Sequence, residues 1–187
     1  NIADQINNDD KNFLRNPWVR NALHPNQYYY SFLYYKKLRE NYSKAKLKYL
    51  CRDIGLGNPL NDIMVKGASP ASLKHFFLLD NIQRELGINL RDLNQIVEFG
   101  GGYGSMCRVF FKNMENSLCW NIVDLPIIIE LQKAYLSDSL NKEDFKKITF
   151  NIDCKNIKVD TNSLFIATWS LSETPLSLRY NLEEWIS

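Results

Sequence analysis

Gly100, Gly101, Gly102 and Gly104, interrupted only by Tyr103, follow the run Gln95-Ile96-Val97-Glu98-Phe99 and precede a segment from Ser105 to Phe111 that reads as helix. A strand that turns through glycine into a helix leaves the first N–H groups of that helix free, at the positive end of its dipole. A nucleotide-like ligand can sit there against bare backbone. Further on, residues 118–123 form a second apolar run closed by Asp124, roughly 20 residues past the glycines, the interval of a βαβ unit. A carboxylate at that strand end can accept both hydroxyls of a ribose. Asp124-Leu125-Pro126 then opens a helix, Pro126 being tolerated in a first turn where its missing N–H would be unpaired anyway.

The glycine spacing selects among ligands. A nicotinamide dinucleotide fold wants G-x-G-x-x-G, and counting from Gly100 and Gly102 puts Ser105 where the third glycine should stand. The sequence instead has Glu98-x-Gly100-x-Gly102-x-Gly104, which resembles the first motif of class I S-adenosylmethionine-dependent methyltransferases. Together with the strand end NIVDLP and the later LFIATWSLSETP, the segment EFGGGYGS resembles the sugar O-methyltransferases of bacterial surface-polysaccharide clusters, over roughly residues 67–179.

That resemblance implies a Rossmann-like α/β sheet in the order 3-2-1-4 and S-adenosylmethionine as cofactor. Glu98 and the backbone of Gly100, Gly101, Gly102, Tyr103 and Gly104 would hold its amino acid part, Asp124 the ribose and Leu125 the adenine face. Asn151 or Asp153, in the turn after the third strand, would meet the adenine amine. The loop from Trp169 to Glu173 would frame the sulfonium and the acceptor hydroxyl. Methyl transfer is an in-line displacement, so alignment supplies most of the acceleration, and a carboxylate or histidine within hydrogen-bond reach takes the hydroxyl proton. Glu173 is the first candidate for that base and His75 the second. Plainer readings stand beside these: Glu173 as a charge at the start of the next helix, His75 as a structural or surface group, and Asn151 and Asp153 as ordinary turn residues.

The elements that must position these residues follow from punctuation. Ser69-Pro70 marks a cap and a first helical residue, and Gly87 a stop, giving a helix to Leu86 that carries His75. Ile148 to Phe150 is the third strand and Leu164 to Thr168 the fourth, with polar residues 137–147 as loop or frayed helix. Leu176 to Trp185 is the following helix. Upstream, residues 1–68 form a helical extension and residues 69–187 the cofactor domain. Residues 1–27 read as an irregular arm anchored by Phe13, Leu14, Trp18 and Val19, and Asn26 can cap one long helix from Gln27 to Tyr49. That helix is aromatic in its first half, YYYSFLYY, and basic in its second. Such a helix can stack on nucleic acid or, as an amphipathic helix, pack on a neighbour or on a second subunit, and the latter fits the formal charge of +2.

With 45% hydrophobic and 24% charged side chains the chain can bury a sizeable core. No apolar run of ~18 residues and no signal peptide pattern is present, which places the chain in the cytoplasm with no membrane span. Four scattered cysteines and two histidines offer neither a zinc framework nor a histidine-rich metal centre. A full domain of the resembled kind has about three more strands after the fourth, and the chain begins with Asn, so a fragment or processed form of a longer protein is expected. The expected activity is O-methylation of a sugar or glycoconjugate. The alternatives are a nicotinamide-dependent oxidoreductase and a non-catalytic assembly module that keeps the fold and pairs through its aromatic helix.

Overall fold

The computed structural model describes residues 11–17, 19, 28–114, 117–168 and 170–186. The chain divides into two compact units, one drawn from Asn1–Ile88 with Ser105–Met114, the other from Asn89–Gly104 with Glu115–Ser187.

The second unit is an α/β layer built on four strands: β1 (Gln95–Phe99), β2 (Cys119–Val123), β3 (Ile148–Asn151) and β4 (Ser163–Ile166). All pair in parallel in the order β3-β2-β1-β4, an arrangement consistent with a Rossmann-like fold and the order expected. Glu98 aligns with Ile122 on one side and Ile166 on the other, and Val123 aligns with Asn151. β1 and β2 read as near-continuous apolar runs because parallel strands are covered on both faces. Ile96, Val97 and Trp120 are accordingly buried. Val97, Val123, Cys154, Ile157 and Leu182 form one apolar cluster, with Phe99, Phe165, Leu171 and Trp185 packed against it.

Pro126 opens a helix (Pro126–Ser139), as the sequence predicts, and this helix runs three residues past the expected Leu136. The polar stretch that follows holds a short helix (Lys142–Phe145), because Asn141 accepts from the Asp144 N–H and caps it. The C-terminal part carries two more helices, Ser170–Glu173 and Leu176–Ile186.

In the first unit one expectation is corrected. The single helix from Gln27 to Tyr49 is two, α1 (Tyr28–Leu38) and α2 (Lys44–Leu50). Ser43 breaks it by accepting from the Lys46 N–H at 3.1 Å, and Tyr42 turns aside to donate to Asp80 at 2.6 Å. Serine competes well for backbone N–H groups and so favours caps over helix interiors. The proposed cap at Asn26 and the anchor Trp18 lie outside the described residues, whereas Phe13, Leu14 and Val19 are buried. α3 (Pro70–Leu86) starts on the Ser69 cap and ends at Gly87, as predicted. α4 (Ser105–Asn113) completes the unit, and after it the second-unit helices are α5 (Pro126–Ser139), α6 (Lys142–Phe145), α7 (Ser170–Glu173) and α8 (Leu176–Ile186). Among the described residues no helix is long and apolar enough to cross a membrane.

Candidate functional site

Because the four strands are parallel, their C-terminal ends share one edge of the sheet, and the residues singled out by the sequence follow those ends. After β1 the chain turns through Gly100, Gly102 and Gly104, with φ of 74°, 58° and 91°, values that L side chains rarely adopt. The Gly100 N–H donates to the Val123 carbonyl and the Gly104 N–H to the Gly101 carbonyl, at 2.8 and 3.0 Å. Gly100 is also required sterically, since a Cβ there would lie 2.2 Å from the Cβ of Ser170. Ser170 in turn donates its hydroxyl to the Phe99 carbonyl, so the segment after β4 closes onto the end of β1.

One turn of α5 packs under this loop. Gln132 donates to the Gly102 carbonyl at 2.8 Å, Tyr135 meets Tyr103 edge-on with ring centroids 4.9 Å apart, and Leu136 would be 3.0 Å from a Cβ at Gly104. Residues at i, i+3 and i+4 line one side of a helix, so a single face of α5 serves the whole loop.

Glu98 is buried at the centre of the sheet, where its carboxylate accepts from the Trp120 indole at 2.9 Å. Burial pushes its carboxyl up to about 7 against the Trp120 hydrogen bond, and the nearby Asp124 charge adds to the rise. A Cβ on Gly101 would stand 3.2 Å from this carboxylate, so the loop backbone covers it directly.

Asp124 follows β2. Its carboxylate accepts from the Leu125 N–H and from Gln132, each at 2.8 Å, and the N–H groups of Gly102 and Gly101 also face it. Burial raises its carboxyl above the ordinary value in spite of these donors. The Asp124 N–H donates to the Asn151 carbonyl at 3.1 Å, which sets the ends of β2 and β3 side by side. There the Asn151 amide nitrogen is buried with no hydrogen-bond partner, while Leu125 and Ile152 are large apolar side chains 66% and 71% exposed. Asp153 is exposed and caps a short turn by accepting from the Lys155 N–H.

Glu98, the glycine loop, Asp124, Leu125 and Asn151 are thus gathered at one edge of the second unit. Glu173 ends α7 in that unit and is exposed, while His75 is half-buried on α3 of the first unit. Trp169 lies outside the described residues. Three contributors escaped sequence reasoning. Gln132 was legible only as one more position in an apolar helical stripe, although a polar residue at such a position must find partners. A buried indole has the same need, which is the signal Trp120 offered. Ile152 carries no signal in sequence, because its role comes from the parallel stacking of strand ends.

Comparison of the chain with protein-family models, with curated proteins and with solved structures returns no match. Whether the edge fits an adenosyl cofactor therefore rests on the groups it presents. They fit: a half-exposed carboxylate for a ribose, an unpartnered amide at the next strand end for a base edge, and two exposed aliphatic side chains for a planar ring.

Proposed function

We propose that the chain is a class I, Rossmann-like methyltransferase that uses S-adenosylmethionine to O-methylate a sugar or glycoconjugate hydroxyl. The observation that carries the reading is Asp124, one strand over from Glu98, with its carboxylate facing the N–H groups of Gly101 and Gly102. A glycine turn alone serves many ends, whereas a glycine turn answered by acidic residues near the ends of two adjacent parallel strands suits a nucleoside carrying a charged amino acid tail. The Ser105 mismatch to G-x-G-x-x-G weighs against a dinucleotide.

When bound, the cofactor supplies an electrophilic methyl group on a sulfonium. The chain's part is to hold and orient: Asp124 accepts from the ribose hydroxyls, Asn151 meets the base edge, Leu125 covers one face of the ring, and the loop backbone, lying over the buried Glu98, takes the amino acid end. The acceptor proton is assigned to Glu173, which ends α7 in the same unit as these residues. The sugar class rests on the phrase WSLSET and its resemblance alone.

Calorimetric titration with S-adenosylhomocysteine, with NADH as the comparison ligand, tests the cofactor. Binding of the former only is expected, and Asp124→Ala should weaken it about 10- to 100-fold, the value of hydrogen bonds to a charged group. Binding of NADH alone would sink the reading.

A further inference from the structure

We infer that Gln132 is a positioning residue for a ribose diol, acting through Asp124. The inference rests on the proposed cofactor reading. Gln132 is fully buried on α5 and spends its one amide nitrogen twice, on the Gly102 carbonyl and on Asp124 Oδ2, both at 2.8 Å. Its own carbonyl oxygen is buried with no partner. A leucine or methionine would fill the same space without stranding that oxygen, so the side chain is explained by its two N–H groups and by where they point.

Those two bonds do one job. A carboxylate offers about four lone-pair sites. In Asp124 the Leu125 N–H fixes Oδ1 and Gln132 fixes Oδ2, which sets the plane of the group. The same amide ties the Gly102 carbonyl, and so the glycine loop, to the side chain that holds Asp124. The bonds from Leu125 and Gln132 are the hydrogen bonds that the carboxylate accepts, so about two of its acceptor sites stay open, and a vicinal diol, with two O–H donors, is what such a pair of oxygens recognises. A Gln132 that merely packed would leave the carboxylate free to rotate about its last bond.

The test uses the full chain with S-adenosylhomocysteine and its 2′,3′-dideoxy analogue as paired probes. The wild type should favour the diol by about 30-fold, and Gln132→Met should cut that preference to about threefold while changing the dideoxy affinity by less than about twofold. Weakening of both ligands alike, with the ratio intact, is the mark of a structural role and overturns the inference. Gln132→Glu keeps the shape but sets a third acceptor against Asp124 and the Gly102 carbonyl. Its diol preference should vanish at pH 8 and return as acid supplies a shared proton, and a preference retained at pH 8 overturns the inference as well. In the ligand-free protein, carboxyl NMR should show Asp124 titrating higher in Gln132→Met, because a donor to its charged form is lost; an unmoved Asp124 shows that Gln132 does not hold it. If wild type binds neither probe although Asp124 moves, the cofactor reading itself has failed and the diol role goes with it.

Discussion

The Trp120 indole nitrogen lies 2.9 Å from Glu98 Oε2 inside the sheet, and that single donor does not offset the burial of the carboxylate, whose pKa is pushed up to about 7. The folded value lies above the unfolded value of 4.5, so between these two pH values the native state keeps a proton that the unfolded chain has released. Stability therefore falls as pH rises through that window, by roughly 3 kcal/mol in all. Glu98→Gln keeps an acceptor for Trp120 and has nothing to ionise. Urea unfolding from pH 5 to 8 should show the slope flattened in the variant, which becomes the more stable protein at pH 8. A residual slope of the same sign, starting at lower pH, belongs to Asp124, also raised by burial. An unchanged slope would place the pH dependence elsewhere.

In the first unit the guanidinium of Arg108 is 1% exposed and stands 3.7 Å from the Asp53 carboxylate, donating also to Ser72 Oγ at 2.7 Å and to the Arg52 carbonyl at 3.2 Å. Burial would raise the Asp53 carboxyl, but Arg108 and the hydroxyls of Ser69 and Ser72 outweigh it and hold the group below its ordinary value. Its stabilisation is therefore present above the unfolded value of 3.8 and is lost as pH falls through the folded one. Arg108→Met leaves a buried carboxylate without its counter-charge and should cost about 3–5 kcal/mol in denaturant unfolding at pH 7. Adding Asp53→Asn should recover part of that loss. If the double variant is no better than the single one, the pair is not coupled.

Local rules carried the fold a long way. Ser69-Pro70 and Gly87 bounded α3 correctly, Pro126 opened α5, and the glycines and Asp124 marked the ends of β1 and β2, because each of these depends on one or two residues' own preferences. The break between α1 and α2 was not legible, since Tyr42 leaves the helix for Asp80, 38 residues away in sequence. The site was legible where a residue acts from a strand end, as with Asp124, and illegible where it acts across elements. Gln132 reads as helix interior until α5 is laid under the loop. Arg108 carries no mark of its own in the helix from Ser105, and its pairing with Asp53 and Ser72 exists only once the chain has folded.

Gly87, after α3, and Gly100, after β1, separate two kinds of strain. Gly87 has φ 62° with nothing within 4 Å of an added Cβ, so Gly87→Ala should cost only the left-handed backbone term, about 1–2 kcal/mol. Gly100 has φ 74° and Ser170 in the way at 2.2 Å, so Gly100→Ala should cost distinctly more. Pairing it with Ser170→Gly removes the collision and should bring the loss back toward that of Gly87→Ala, a non-additivity readable by thermal unfolding. Simple addition of the two single losses would mean that Ser170 and Gly100 do not share the space.

Leu125 and Ile152 follow adjacent strands and are 66% and 71% exposed, so neither supports the fold through burial. If they flank a planar ring, the apolar area they lose to a ligand is gained only on binding, at about 25 cal/mol per Å². Leu125→Ala and Ile152→Ala should therefore leave the unfolding midpoint unmoved within about 0.5 kcal/mol, as for most surface substitutions. Each should still weaken S-adenosylhomocysteine about three- to tenfold, and the losses should grow with ring size across adenosine-type and smaller nucleoside ligands. Leu125→Asp should be worse than Leu125→Ala, because a second carboxylate beside Asp124 also disfavours the charged form that accepts the ribose hydroxyls. Variants that lose stability and affinity together would show these side chains to be packing groups, and the base would then have to lie elsewhere along the strand ends.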